Sequence, residues 1–289
     1  MSPVEEFVRV AEGVQLRTLV RLPQRDSGPL TPVVLVHGLA SNARLWDGVA
    51  DELVRWGHPV VAVDQRGHGH SDKPDHGYDF PTLVDDLVAV IGALGLHRPL
   101  VVGQSWGGNV VVELAASRPD VLCGAAAVDG GFIELTDTFD SWEACCEALT
   151  PPRLIGTPFT TMERWVRDAH PDWPESGILG SLANFEVRDD GTIAPWLTLD
   201  RHLAILRELY HHHPSQRFPH VHVPMMMVPA DTGDVAWTRD KRLHVDRALQ
   251  VLPHGSVHWF SPADHDLHAQ HPARLAEVLT DFARECSTS

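Results

Sequence analysis

Ser105 lies in Gly103-Gln104-Ser105-Trp106-Gly107-Gly108, between an apolar run and a run of helical periodicity, and that setting suits a nucleophile. A strand that reverses directly into a helix strains its turn residue, and the neighbours two positions away must be small for the chains to approach. Gly103 and Gly107 meet that demand. Such a turn would hold the Ser105 hydroxyl out of the sheet, beside the N–H groups and positive dipole end of the following helix, where a developing oxyanion is stabilised. A serine hydroxyl is a poor nucleophile at neutral pH, so it needs a base within reach and a carboxylate to orient that base. The chemistry indicated is acyl transfer through a covalent intermediate.

Candidate bases cluster towards the C-terminus. His265, in Asp264-His265-Asp266-Leu267-His268-Ala269-Gln270-His271-Pro272, falls in a loop before the last helix, whereas His258 falls inside a strand that would fix it; His254 and His268 are further candidates. Three carboxylates compete for the orienting role. Asp129 ends the apolar run Ala125-Ala126-Ala127-Val128 and is followed by Gly130-Gly131, which let the chain turn away at once. A carboxylate buried there is costly without a partner, and an active-site histidine would supply one. Asp231 and Asp234 follow Pro224-Met225-Met226-Met227-Val228-Pro229-Ala230 and stand as alternatives.

Hydrophobic periodicity supplies the elements that must position these residues. Residues 7–10 and 15–21 alternate about Glu12-Gly13 as a hairpin of antiparallel edge strands. Apolar strands and helical runs then take turns: strand 33–36 and helix 45–56, strand 60–63 and helix 81–94, strand 100–102 and helix 108–117, then strand 125–128. Continuous apolar strands of this kind imply a parallel sheet covered by helices on both faces, so the fold class is α/β with a mostly parallel, doubly wound sheet. From Gly130 to about Pro224 the rhythm breaks. That stretch holds Trp142, Trp165, Trp173 and Trp196 and helical patches at 141–149, 162–169 and 199–210, with no parallel strand. Most of the tryptophans are expected to pack this stretch onto the core, with one or two lining an apolar pocket. Strand 225–228, helix 238–249, strand 256–260 and helix 272–285 resume the alternation.

Two more motifs occur in order: Val33-Val34-Leu35-Val36-His37-Gly38-Leu39, an apolar strand ending in His-Gly, and Asp64-Gln65-Arg66-Gly67-His68-Gly69-His70-Ser71 after strand 59–63. Together with the turn at Ser105 and with His265, seven residues before Pro272, they resemble the α/β-hydrolase superfamily over nearly the whole chain. The resemblance implies an α/β-hydrolase core at 1–130 and 224–289, with a helical cap, 131–223, inserted after the sixth strand. It implies His265 as the base, from its spacing to Pro272, and the backbone N–H groups of Leu39 and Trp106 as the oxyanion hole. The Trp106 ring is expected to cover an acyl pocket, while His37, Asp64, Arg66 and Ser71 are read as scaffolding. For the acid, the position used by most of the family is occupied here by Gly233, with Asp231 two places early and Asp234 one late. Some members, haloalkane dehalogenases among them, carry the acid at the end of the sixth strand, where Asp129 stands. Asp129 is the first choice, and Asp234 and Asp231 stay open.

The function implied by the resemblance is that of a serine hydrolase cleaving a carboxylic ester, lactone or thioester, with Ser105 attacking, His265 moving the proton and no cofactor. Dehalogenase and epoxide-hydrolase chemistry require an aspartate at the turn, and the serine argues against both. Carbon–carbon bond hydrolysis and cofactor-free perhydrolysis use the same triad and remain alternatives, as does a ligand-binding or signalling protein on this fold. The partner expected is a small-molecule substrate with an apolar acyl or ring portion, and a homo-oligomer is left open.

Composition narrows the remaining classes. The 289 residues suffice for a large self-sufficient core. A net charge of −16, with no basic patch interleaved with aromatics, argues against nucleic acid. Cys123, Cys145, Cys146 and Cys286 show no framework spacing and read as reduced thiols of a cytoplasmic protein. No apolar run follows the N-terminus or approaches spanning length, so the expectation is a soluble chain outside the general secretory route and away from membranes. The 19 histidines lack a compact ligand set, and no metal is expected. The densest group, His211-His212-His213, falls at a helix end where the dipole favours it.

Overall fold

Val33, Leu35, Val60, Ala62, Leu100 and Val102 pack into one apolar cluster, while Val34, Val36, Val61, Val63 and Val101 pack into another. Alternate residues of each strand therefore serve opposite faces, and both faces are dry, which is why these strands read as unbroken apolar runs rather than alternating ones. The computed structural model describes residues 2–24 and 30–288.

In chain order the elements are β1 (Val4–Ala11), β2 (Val14–Arg21), β3 (Val33–Val36), α1 (Asp47–Trp56), β4 (Val60–Val63), α2 (Phe80–Ala93), β5 (Leu100–Gln104), α3 (Trp106–Ser117) and β6 (Gly124–Val128). Then come α4 (Trp142–Leu149), α5 (Phe159–Ala169), α6 (Glu175–Leu182), β7 (Phe185–Val187), β8 (Ile193–Pro195) and α7 (Leu199–His211). The chain closes with β9 (Met225–Val228), α8 (Val235–Val251), β10 (Gly255–Val257), α9 (Leu267–Gln270) and α10 (Pro272–Thr288).

The main sheet has eight strands in the order β1-β2-β4-β3-β5-β6-β9-β10. Pairing is antiparallel from β1 through β2 to β4 and parallel from β4 to β10. Apolar residues of α2, α3 and α8 cover one face, and those of α1 and α10 the other, as the doubly wound reading requires. The N-terminal hairpin turns at Glu12-Gly13, with Gly13 at φ 69°, as the alternation predicts.

The stretch between β6 and β9 differs from expectation in two places. It contains a two-stranded antiparallel sheet, β7 with β8, closed by Arg188-Asp189-Asp190-Gly191, in which Gly191 takes φ 76°. That Asp-Gly signal belongs to a hairpin, and it is short enough to vanish among helical patches. It also contains α6, which starts after Pro174 and packs against the chain at 43–46 so closely that a Cβ on Gly180 would stand 2.7 Å from the Arg44 carbonyl oxygen. The tryptophans divide. Trp173 is buried with Leu45, Val166, Ile178, Leu182 and Ala269, whereas Trp165 is 48% exposed and packs nothing onto the core. The expected strand 256–260 ends early, at Val257. Parallel-type hydrogen bonds nonetheless continue, from His258 N to Met227 O and from Phe260 N to Pro229 O.

Candidate active site

Between the last residue of β5 and the first of α3 stands Ser105 alone, at φ 53° and ψ −123°. This is a costly conformation for a residue with a side chain, and it persists because the surroundings leave no alternative. A Cβ on Gly103 would come within 2.1 Å of Gly107 O, one on Gly107 within 2.4 Å of His37 O, and one on Gly130 within 2.2 Å of Ser105 O. The first two are the glycines that the motif singles out. The third comes from the far end of β6, and only the fold reveals its part in the turn. Ser105 N donates to Val128 O at 3.0 Å, so the serine is hydrogen-bonded to the strand that delivers Asp129.

Asp129 follows β6 in a left-handed conformation, φ 40°. Its carboxylate is 3% exposed. Oδ2 accepts from Nδ1 of His265 at 2.6 Å, and Oδ1 accepts from Ala230 N at 2.8 Å and from Lys241 Nζ at 2.6 Å. Burial alone would push this carboxyl up. The His265 hydrogen bond and charge, with Lys241 behind them, outweigh burial and hold it below the usual carboxylate value. Asp231 is engaged elsewhere: Oδ1 accepts from Gly233 N at 2.9 Å and from Thr238 Oγ1 at 2.8 Å, pinning the turn ahead of α8. Asp234 lies on that same turn, where its carbonyl accepts from Thr238 N. Of the three candidate acids, the geometry brings Asp129 to the histidine.

His265 sits between β10 and α9, with 54% of its side chain open to solvent. Desolvation by the enclosing protein lowers its basicity, but the Asp129 hydrogen bond and charge, aided by Asp266, leave it more basic than a free imidazole. Because Nδ1 donates to Asp129, the neutral ring carries its lone pair on Nε2, the tautomer a general base needs. Among the described residues Nε2 has no hydrogen-bond partner and neither does Ser105 Oγ, which leaves both for a reacting group. Of the other histidines weighed, His268 is wholly buried against the Trp46 ring, centroids 4.4 Å apart, and burial pushes its pKa down to about 3. His258 flanks Phe260 outside this cluster.

The N–H groups of Leu39 and Trp106 are spent on no backbone partner among the described residues. The loop after β3 is set by neutral histidines. His37 Nε2 accepts from Gln65 N at 3.0 Å and His68 Nε2 accepts from Ala40 N at 3.2 Å, while burial lowers both rings' pKa values. Asp64 is scaffolding, as expected: it accepts from Ala43 N and His70 N and pairs with Arg17 at 2.7 Å. Arg66 grips Asp86 with two bonds of 2.5 Å. The Trp106 ring departs from expectation. It is 0% exposed and stacks on His68 in the core, so it covers no open pocket.

Sequence reasoning missed Lys241 and the Gln104 side chain. Gln104 Nε2 donates to His265 O at 3.3 Å and to Asp266 Oδ1 at 3.2 Å. Among the described residues no group of three His, Cys, Asp or Glu side chains could hold a metal ion, and no helix is long and apolar enough to cross a membrane. His212 and His213 instead engage Asn109 and Glu134, at 3.1 Å and 2.8 Å.

Residues 31–171 match the model of a family described as alpha/beta hydrolase fold. A 2-(acetamidomethylene)succinate hydrolase of Mesorhizobium japonicum is 26% identical over 274 residues, 92% of each chain. Epoxide hydrolase B of Mycobacterium tuberculosis is 33% identical over 134 residues, 46% of this chain and 37% of that protein. Among solved structures, E-2-(acetamidomethylene)succinate hydrolase superposes with a TM-score of 0.77 at 23% identity, over 98% of this chain and 99% of that one. A thioesterase domain from the curacin biosynthetic pathway reaches 0.76 at 21% identity, over 96% and 99%. These superpositions bear out the expected fold.

Proposed function

We propose that the chain, which matches the α/β-hydrolase family model over residues 31–171, is a hydrolase of that superfamily and cleaves a carboxylic ester, lactone or thioester through an acyl-enzyme on Ser105. The 2.6 Å bond between Asp129 Oδ2 and His265 Nδ1 carries this reading, because it fixes the base in the tautomer that can take a proton from serine. Ser105 Oγ attacks the acyl carbon as its proton passes to His265 Nε2, and the leaving alcohol or thiol then departs with that proton. Water, deprotonated by the same nitrogen, attacks the acyl-enzyme, and Ser105 regains the proton as the acid leaves. The N–H groups of Leu39 and Trp106 hold the oxyanion in both halves, each typically contributing about 3 kcal/mol to the transition state.

The segment 131–223 acts in this reading as a cap over the site, admitting a small molecule with an apolar acyl or ring portion. The epoxide hydrolase relative does not redirect the chemistry, because the turn here carries serine rather than the aspartate that epoxide opening requires. A fluorophosphonate probe is expected to label the protein and to fail on Ser105→Ala; an unlabelled wild type would refute the nucleophile. Panels of short-chain p-nitrophenyl esters, lactones and thioesters then define the substrate. The relative that spans 92% of both chains supports a second reading, in which the substrate is 2-(acetamidomethylene)succinate or a close analogue. Faster turnover of that compound than of every ester would replace the ester reading.

A further inference from the structure

We propose that Lys241 is a positioning residue of the triad, clamping the Asp129 carboxylate so that Oδ2 alone faces His265 and setting a fixed positive charge behind the base. This rests on the serine-hydrolase reading for its catalytic meaning, but its physical content concerns three side chains only. Lys241 projects from α8, its side chain only 8% exposed, and Nζ reaches Asp129 Oδ1 at 2.6 Å and the Ala230 carbonyl at 2.8 Å. Ala230 N donates to the same Oδ1 at 2.8 Å. Two donors therefore occupy Oδ1 and one occupies Oδ2, so the carboxylate cannot rotate without losing a bond. A lysine is rarely placed this deep without a partner, since burying an ammonium is costly unless it is paired and hydrogen-bonded.

The charge matters as much as the clamp. The groups bearing on His265 are Asp129 from the end of β6, Asp266 beside it in the chain, Lys241 from α8 and His268 from α9; His170, from the stretch between β6 and β9, bears on Asp266. Asp129 and Asp266 favour the imidazolium, and Lys241 opposes them. His268 stays neutral in its buried site. With desolvation of the ring, the Lys241 charge behind Asp129 thus works against the two carboxylates and favours the neutral ring.

The test is a pH titration of the ring nitrogens in protein carrying ¹⁵N-labelled histidine, with His265 assigned as the signal lost in His265→Gln. Lys241→Gln keeps a hydrogen-bond donor but removes the charge, and it is expected to shift the His265 pKa upward, while Lys241→Arg, which keeps the charge, leaves it at the wild-type value. A His265 pKa that is unchanged or lowered in Lys241→Gln overturns the proposal. If Lys241→Gln does not fold, Asp129→Asn is compared with Asp129→Asn/Lys241→Met, which leaves no lone buried charge, and the ring must titrate higher in the double variant. The readout does not depend on turnover. A wild type that fluorophosphonate fails to label would sink the hydrolase reading, whereas only the titration decides the role of Lys241. Where labelling occurs, the acid limb of its rate should move upward with the same shift.

Discussion

Gln104 Nε2 lies 3.2 Å from Asp266 Oδ1 and 3.3 Å from His265 O, so the residue just before Ser105 ties down the loop that carries His265. The other end of that amide is confined as well. A Cβ on Gly38 would stand 2.4 Å from Gln104 Oε1 and 3.1 Å from Ser105 Cβ. Gly38→Ala must therefore displace either this tether or the loop bearing the Leu39 N–H, and it should lower kcat about 100-fold, the size of losing one oxyanion donor. Leu39→Ala keeps the backbone donor and should stay within a few-fold of wild type. Equal losses in the two variants would show that the side chain, and not the backbone, of this loop matters.

Replacement of the carboxylates one at a time separates the acid from its neighbours. Asp129→Asn should lower kcat about 1,000- to 10,000-fold, because the amide can present its N–H to His265 and favour the wrong tautomer. Asp231→Asn and Asp234→Asn should keep near-normal turnover. Asp231→Asn should also weaken the turn before α8, seen as a fall in thermal stability with little change in rate. Near-normal turnover of Asp129→Asn together with inactive Asp234→Asn would reverse the assignment.

Two glycines, Gly103 in β5 and Gly92 in α2, should respond in opposite directions. Gly103→Ala would place a methyl 2.1 Å from Gly107 O, a collision with backbone that no rotamer relieves, and should cost about 3 kcal/mol or more and abolish probe labelling. Gly92, exposed near the end of α2, has no positive φ, and a methyl added there would meet nothing within 4 Å. Gly92→Ala should stabilise the chain by roughly 0.5–1 kcal/mol through the unfolded state. Chemical denaturation of both variants checks the pair.

The pH profile contains two histidines of opposite sign. His265 is raised above 6.5 chiefly by Asp129 despite desolvation, so turnover in the proposed reaction should climb with pH through a value above 6.5. Its contribution to stability is present below 6.5 and is lost as pH rises through the folded value. Burial takes His268 the other way, to about 3, with neither ring nitrogen hydrogen-bonded. Between 6.5 and that value the unfolded chain binds a proton that the folded chain refuses, so stability falls on acidification by up to about 1.4 kcal/mol per pH unit. His268→Leu should flatten that slope when unfolding is compared at about pH 7.5 and about pH 4.5. An unchanged slope would mean that the ring is not the source.

The turn at Ser105 was legible because its demands are local: two glycines and a serine at fixed spacing, between a buried strand and a helix. The strands were legible because both faces of the sheet are dry. Asp129 could be nominated from its place at the end of β6, but Asp231 and Asp234 competed because a sequence does not reveal which carboxylate the fold carries to His265, 136 residues further along. Lys241 was invisible for the same reason. It stands in Arg239-Asp240-Lys241-Arg242, which reads as a solvated helical face, and only the docking of α8 beside β9 turns one of those charges inward. Gly130 looks like a mere exit from a strand until Ser105 is seen against it. The β7–β8 hairpin and α6 escaped because short elements give periodicity too few residues to act on.

Gln104 pairs with Val128, and Ser105 N then donates to Val128 O, so Ser105 and Asp129 ride on adjoining, laced strands. In mechanical terms they are one rigid piece. His265 arrives on a separate segment, between β10 and α9, and is held to that piece at two points, its ring by Asp129 and its carbonyl by Gln104. A sequence change in that segment would alter the placement of the ring by loosening one of these two ties, with the sheet and Ser105 left as they are.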